Sequence, residues 1–205
     1  MTTGAPDRNG GTDTHEAIRA ATYRALCTHG YSDTTIQHIA DEFEKSKSLL
    51  YYHYEDKEEI LTDFMRHLLD RLADELDVDE GDPYEDLQAL MDCLVPVPMD
   101  EEDRRFRRVL FEIRAAASHD ERHRELFARS DELVREAFAD VIARGVESGQ
   151  FVDTDPDEAA EFVQTTLLGM MVRGVTLDDD RAMERTRRTL EAYFDRYLLV
   201  DDDGR

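Results

Sequence analysis

Apolar residues recur at intervals of three and four along most of the chain, and no long segment alternates between apolar and polar residues. This period is typical of helices with one buried face. The clearest apolar stripe follows Lys57, where Asp56 is a suitable N-cap and Glu59 stands three residues later. The pattern predicts an all-α chain of about nine helices, at residues 14–29, 34–42, 46–53, 57–77, 83–95, 100–117, 121–148, 156–177 and 180–199.

Two of the predicted helix starts share one pattern, at residues 82–85 (DPYE) and 155–158 (DPDE). Each has a carboxylate at the capping position, proline at the first helical position and glutamate at the third. Proline is tolerated there because the first helical N–H has no partner within the helix. All five prolines lie outside the predicted helix interiors, as an all-helical fold requires.

The segment 30–61 has the dimensions of a helix-turn-helix, with two short helices separated by about three residues. The apolar positions that would pack beneath the two helices are Ile36, Ile39, Ala40, Phe43, Leu50 and Tyr54. The positions left to face a DNA groove are Lys47, Ser48, Tyr51 and His53. A cation, a hydroxyl, an aromatic ring and an imidazole on one short helix can reach phosphates, base edges and thymine methyl groups.

The order of residues in this segment resembles the TetR family of transcription regulators over about residues 15–62. The matching pieces are GY at 30–31, TT at 34–35, IA at 39–40, SK at 46–47, LYYHY at 50–54 and KE at 57–58. Glu44 and Lys45 stand where the family usually has Gly-Val, and Ser48 replaces a frequent glycine, which bears on the tilt of the recognition helix. The resemblance implies a homodimer with an N-terminal DNA-binding domain and a C-terminal domain that senses a small molecule.

The resemblance also implies which residues contact double-stranded DNA. Thr35 and Gln37 lie at the start of the first helix of the motif, and Tyr51 and His53 match residues that contact the DNA backbone. Lys57 matches a phosphate clamp at the start of the connecting helix. The full predicted set is Thr35, Gln37, Lys47, Ser48, Leu49, Tyr51, His53 and Lys57.

The composition and the resemblance together predict four segments. These are a disordered tail (1–13), a helix-turn-helix domain (14–56), a helical ligand-sensing and dimerisation domain (57–200) and an acidic tail (201–205). Beyond residue 62 the resemblance rests mainly on helix number and length. Gly169 and Gly174 would permit close helix approach. The predicted dimer interface comprises Leu168, Met171, Val175, Leu190, Tyr193, Phe194 and Tyr197, with ordinary core packing as the alternative. The predicted ligand pocket comprises Met65, Leu69, Met91, Phe111, Phe127 and Phe162, with the same alternative.

Net charge changes this picture, because 49 acidic and 25 basic residues give −24, which repels DNA. Residues 1–57 carry only 9 acidic and 6 basic side chains, so most of the repulsion lies in the second domain. All three lysines, Lys45, Lys47 and Lys57, lie in the predicted DNA-binding segment. An acidic, lysine-poor surface resembles proteins of salt-loving cells, where about 1 M salt screens charges beyond about 3 Å.

Four arginines form a cluster on the helix predicted at 100–117: Arg104, Arg105, Arg107 and Arg108. They are expected to pair with the acidic residues of a solvated helix face. The alternative is that they bind an acidic ligand. The excess of acidic over basic residues in the chain favours a cationic or neutral ligand instead.

Several other classes of site and location are not predicted. No transmembrane segment and no signal peptide are evident in the sequence. The sequence therefore predicts a cytoplasmic protein without a membrane partner. No cofactor is expected. His119 and His123 are four residues apart with Glu112 and Asp120 near, yet no other ligand cluster supports a metal, so no metal site is predicted.

The sequence therefore predicts a TetR-type regulator, not an enzyme: a repressor released from a palindromic operator by a small hydrophobic ligand. One alternative is a regulator that acts through a protein partner and has a degenerate DNA-binding motif. A helical enzyme is the other, although no motif for a nucleophile, a phosphate loop or a two-histidine metal site supports it.

Overall fold

A computed structural model describes residues 9–78, 81–177 and 179–200, and within these ranges the chain is helical, as predicted. The helices are α1 (Asn9–Asp33), α2 (Ile36–Glu42), α3 (Lys47–His53), α4 (Lys57–Leu76), α5 (Pro83–Leu94), α6 (Glu101–Ala116), α7 (Glu121–Ser148), α8 (Pro156–Leu177) and α9 (Asp180–Tyr193). A π-helical turn, Phe194–Leu198, follows α9. Within the described ranges the only extended pairing is an isolated bridge between Phe151 and Leu199, and no helix is long and apolar enough to cross a membrane.

Helix α1 differs most from its predicted bounds. It begins at Asn9, so residues 9–13, predicted to be disordered, are helical, whereas residues 1–8 and 201–205 lie outside the described residues. Its helical backbone is broken at Gly30, which has φ +73°. A Cβ there would lie 3.1 Å from Glu112 Oε2, and the left-handed conformation itself favours glycine.

The predicted capping carboxylates start their helices. Asp56 Oδ1 accepts a 2.9 Å hydrogen bond from the Glu59 N–H at the start of α4. Asp82 Oδ1 accepts bonds from two N–H groups of α5, and Asp155 Oδ1 does the same for α8. Each cap satisfies N–H groups that have no partner inside the helix, and such caps typically contribute about 1 kcal/mol.

Three apolar clusters hold the helices together. The first lies inside the helix-turn-helix and includes Ile39, Ala40 and Leu50. The second joins the two predicted domains, since Leu26 of α1, Leu61, Phe64 and Met65 of α4, and Val109 and Ile113 of α6 pack together. The third and largest lies among α4, α5, α7, α8 and α9. The DNA-binding segment is therefore packed directly onto the larger domain through α1 and α4.

Close packing in the large domain depends on two glycines. A Cβ on Gly174 of α8 would lie 2.0 Å from Met183 Sδ of α9, so α8 and α9 approach closely there. A Cβ on Gly145 of α7 would lie 2.0 Å from the ring of Phe151. Gly169 differs, because nothing lies within 4 Å of the position its Cβ would occupy.

Candidate DNA-binding surface and ligand cavity

The helix-turn-helix consists of α2 and α3 with residues 43–46 between them. Thr35 is the N-cap of α2, and its Oγ1 accepts a 3.2 Å hydrogen bond from the His38 N–H. Phe43 and Leu50 are buried on either side of the turn, which fixes α3 against α2. The bend at Glu44 and Lys45, where the family usually has Gly-Val, still allows two packed helices.

Four polar side chains form a network on the exposed face of α2 and α3. Asp41 Oδ1 accepts a 2.9 Å bond from Gln37 Nε2 and is also paired with Lys47 Nζ. Tyr51 Oη reaches Gln37 Oε1 at 3.5 Å. The bonds from Lys47 and Gln37 hold the pKa of Asp41 below its usual range. The network positions three of the predicted DNA-contact residues on one surface, with a carboxylate among them.

Ser48 and Leu49, both predicted to contact DNA, differ in exposure. Ser48 is exposed, and its Oγ lies 2.6 Å from Ser46 Oγ. Leu49 is half-buried and packs against the apolar cluster of the helix-turn-helix. Only part of the Leu49 side chain is therefore available to a partner.

The end of α3 is attached to α1 and α4. The half-buried ring of His53 lies 5.1 Å from that of His15 in an edge contact. Buried Tyr54 donates a 2.9 Å bond from its hydroxyl to Asp63 Oδ2, which also accepts from Arg19 Nε at 3.1 Å. Burial alone would raise the pKa of Asp63, but the bonds from Arg19 and Tyr54 outweigh it and lower this pKa. Burial, followed by the bond to Asp63, raises the pKa of Tyr54.

Lys57 lies at the junction between the helix-turn-helix and the large domain. Its Nζ donates a 2.9 Å bond to the backbone oxygen of Tyr31 and stands 4.8 Å from the centre of the Tyr31 ring. An ammonium group has three N–H donors, so two remain for a phosphate. The predicted phosphate clamp is thus also a structural link between α4 and the end of α1.

A cavity of about 600 Å³ lies among α4, α5, α6, α7 and α8. Four of the residues predicted to line a pocket do line it: Met65, Leu69, Phe111 and Phe127. Met91 does not line this cavity, because it is fully buried in the core beside Leu87 and Leu90. Phe162 lies outside the cavity lining as well: it is 49% exposed and contacts Tyr193.

The arginines of α6 have different environments, so the predicted solvated face is correct only in part. Arg105 is exposed beside Glu101. Arg104 is buried and donates to the Gly174 oxygen and to Asp180, which joins α6 to α8 and α9. Arg107 lines the cavity.

Arg107 forms no close ion pair among the described residues, although Asp103 and Glu75 favour its charged form. It donates to the Cys93 backbone oxygen at 3.4 Å, and its Nε has no hydrogen-bond partner among the described residues. Burial lowers its pKa. By contrast, the cavity-lining Arg114 and Arg135 form ion pairs with Asp131 and Glu132.

The predicted dimer-interface residues occupy three environments. Val175, Leu190 and Phe194 are buried within the chain, where they pack as intrachain core, the alternative that the sequence left open. Leu168 and Met171 line the cavity. Tyr193 and Tyr197 are 41% and 59% exposed, and their ring centres are 5.2 Å apart. Together with Phe162 they form an exposed aromatic cluster on α8, α9 and the turn after it.

Two family models match the chain. Residues 18–63 match the bacterial regulatory proteins of the tetR family, and residues 83–199 match the C-terminal domain of BetI-type transcriptional repressors. The second match alone covers more than half of the sequence. No curated protein matches this chain significantly.

Solved structures of the same fold include regulators with and without ligands. A TetR transcription regulator from Haloarcula marismortui is 38% identical with a TM-score of 0.84, over 91% of this chain and 99% of that chain. A candidate transcriptional regulator from Saccharomonospora viridis, in complex with choline, is 22% identical with a TM-score of 0.79, over 93% and 100%. SmeT, the repressor of a Stenotrophomonas maltophilia efflux pump, is 21% identical with a TM-score of 0.73, over 93% and 92%. The last two resemble this chain in fold alone.

These matches agree with the helix-turn-helix geometry and with the all-helical second domain. They do not favour the alternatives of a partner-binding regulator with a degenerate motif or of a helical enzyme. The 38% identity and the domain match over most of the second half together establish the family. The chain belongs to the TetR family of transcriptional regulators.

Proposed function

We propose that the chain is a homodimeric repressor that leaves a palindromic operator when an apolar ligand with an anionic head enters the cavity. The observation that carries this proposal is the double role of α4. Its first turns contact the DNA-binding segment through Lys57 and Asp63. Its later turns, from Met65 to Glu75, line the cavity. A ligand that displaces α4 would therefore move the recognition helix.

DNA contact is assigned to the exposed face of the helix-turn-helix. Lys47, Ser48 and Tyr51 would face the groove, and Gln37 would reach a base or phosphate from α2. Thr35, His53 and Lys57 would contact the DNA backbone, and Leu49 would contribute its exposed part. Phosphate contacts set the register and base contacts set the sequence preference. High intracellular salt would weaken the repulsion from the acidic second domain.

The exposed aromatic cluster, Phe162, Tyr193 and Tyr197, supports dimerisation through α8 and α9. Aromatic side chains that remain solvent-exposed in one chain are common anchors of protein interfaces. A two-fold dimer would place two recognition helices in successive major grooves, about 34 Å apart. This arrangement requires an operator with two inverted half-sites.

The ligand class follows from Arg107. A half-buried guanidinium at the cavity wall that forms no ion pair among the described residues favours a ligand with a carboxylate or other acceptor head, and the apolar lining favours a hydrocarbon or aromatic body. The overall acidity of the chain had favoured a cationic or neutral ligand. Choline occurs in a complex of the Saccharomonospora protein, and triclosan occurs in a complex of SmeT. Neither ligand is a carboxylate, so both differ in head group from the ligand proposed for this cavity.

The test compares three probes that differ in head group: decanoate, decanol and choline. Thermal unfolding measures binding, and fluorescence anisotropy of a labelled bound duplex measures release. Decanoate should raise the melting temperature and release the DNA, and the Arg107→Met variant should lose its preference for decanoate over decanol. Arg105→Met, on the exposed side of the same helix, is the matched control. Binding of choline with no response to decanoate would overturn the proposed ligand class.

A further inference from the structure

Three potential metal ligands meet where α4 and α7 begin. Glu58 belongs to the first turn of α4, Asp120 is the N-cap of α7, and His123 lies in the first turn of α7. One ligand atom from each residue lies within 4.8 Å of the others. Glu58 is more than sixty residues from His123 in the sequence, so only the fold brings this set together.

The imidazole of His123 is the decisive group. His123 is 1% exposed, and neither of its ring nitrogens has a hydrogen-bond partner among the described residues. Glu58 Oε2 is likewise buried without a partner in the described part of the chain. Buried polar atoms are nearly always hydrogen-bonded or coordinated. Here both ring nitrogens of His123 and Oε2 of Glu58 lack a partner among the described residues. They lie in one cluster with the carboxylate of Asp120.

Contacts with neighbouring groups restrain Asp120 and His123. Asp120 Oδ1 accepts a 3.1 Å hydrogen bond from the His123 N–H, which fixes the position of the carboxylate. The ring of Tyr31 lies 6.2 Å from that of His123 in an edge contact and restricts its orientation.

This cluster includes Glu58, whereas the metal ligands considered from the sequence included His119 and Glu112. His119 is exposed, and Glu112 accepts a 2.6 Å bond from the Tyr31 N–H, so neither belongs to the cluster.

We propose that Glu58, Asp120 and His123 form a binding site for a divalent first-row transition metal of the zinc type. One imidazole and two carboxylates suit zinc and its neighbours, whereas calcium and magnesium prefer oxygen ligands alone. Zinc ligands stand about 3.4 Å apart in tetrahedral geometry, so small side-chain rotations within the observed cluster suffice. The bound ion joins the start of α4 to the start of α7. It thereby clamps the DNA-binding segment to the large domain, and this site rests on its own geometry rather than on the proposed ligand or operator.

The test is a titration of the full chain, first freed of metal with a chelator, with Co²⁺ followed by Zn²⁺. Intense visible absorption reports Co²⁺ held in a four- or five-coordinate protein site, unlike the weak absorption of hydrated Co²⁺, and its loss reports displacement by zinc. Thermal unfolding with and without zinc is measured in parallel, because an ion that binds the folded chain raises its melting temperature. The ligand variants are Glu58→Gln, Asp120→Asn and His123→Gln. The matched controls are His119→Ala and Glu121→Gln, exposed residues beside the site that offer the same chemistry.

The proposal expects one Co²⁺ per chain with visible bands, displaced by zinc, in the wild type and in both controls. Glu58→Gln and Asp120→Asn should weaken binding by roughly 100-fold and abolish the zinc-dependent rise in melting temperature. These two variants keep a similar shape, and Asn still caps α7, so their folding can be confirmed by circular dichroism. Equal metal binding by all variants would mean that the acidic surface holds the ion adventitiously and would overturn the site. Absence of intense visible bands in the wild type would overturn it as well.

Discussion

Tyr54 Oη donates a 2.9 Å hydrogen bond to Asp63 Oδ2, and this bond joins the end of the recognition helix α3 to the connecting helix α4. The same carboxylate accepts from Arg19 of α1, so a single group fixes three helices relative to one another. A movement of α4 would therefore reach α3 through a polar contact as well as through packing. This anchor and the link from Lys57 to Tyr31 are the contacts through which we expect the large domain to act on the DNA-binding surface.

The Asp63→Asn variant should lose about 1 kcal/mol of unfolding free energy at pH 7, since the partly exposed carboxylate contributes charge-assisted bonds. Arg19 and Tyr54 lower the pKa of Asp63 in the folded chain despite its burial. Its contribution is therefore complete above the unfolded pKa of about 3.9 and is lost as the pH falls through the folded value. Denaturant unfolding at pH 7 and pH 3 should show a difference between variant and wild type that shrinks in acid. Asp70→Asn, exposed on the same helix, should show no such difference.

Lys47→Ala and Lys57→Ala should differ in their effects on DNA binding. Lys47 lies on the exposed face of α3, and its loss should reduce affinity for the operator more than affinity for random duplex. Lys57→Ala should weaken binding to both duplexes by a similar factor and cost about 1 kcal/mol of stability, because Lys57 also bonds Tyr31. Each change removes one lysine from each subunit of the proposed dimer, so it should reduce the slope of log affinity against log salt by about two. Equal losses on both duplexes from Lys47→Ala and from Ser48→Ala would place the recognition surface elsewhere.

Tyr193→Glu should dissociate the proposed dimer. Tyr193 is the central ring of the exposed cluster, in contact with Phe162 and Tyr197, and a buried carboxylate there would be unpaired. Sedimentation equilibrium should show a dimer dissociation constant at least roughly 30-fold higher than that of the wild type. The control Ala89→Glu, exposed on α5, should remain dimeric. A fully dimeric Tyr193→Glu protein would show that α8 and α9 do not form the interface.

Gly145→Ala should destabilise the large domain by about 1–3 kcal/mol, the usual range for an overpacked core. The added methyl group would overlap the ring of buried Phe151, at 2.0 Å. Denaturant unfolding measures the loss, and Glu147→Ala, exposed in the same helix, is the control. Unchanged stability in Gly145→Ala would mean that the loop carrying Phe151 repacks without cost.

The helices could be predicted from sequence because their signals are local. Apolar spacing located α4, and the capping carboxylates Asp82 and Asp155 located the starts of α5 and α8. The helix-turn-helix was predictable for the same reason, since its core positions and its exposed face alternate within about thirty residues.

The environments of single residues in the second domain were less predictable. Helix α8 is apolar on more than one side, so spacing alone did not distinguish buried Val175 from the exposed cluster at Phe162. The different roles of Arg104 and Arg107 depend on contacts with α8 and α9, far away in the sequence. The proximity of Glu58 to His123 also requires the packing of α4 against α7.

The most direct test of the central claim is selection of bound sequences from a pool of random duplex DNA, carried out at both low and multimolar KCl. A dimeric operator-binding regulator predicts enrichment of a palindromic motif whose half-site centres are about one helical turn apart. If its acidic surface is adapted to salt, the enrichment should persist at the higher concentration. Absence of enrichment at both concentrations would contradict DNA recognition by this helix-turn-helix.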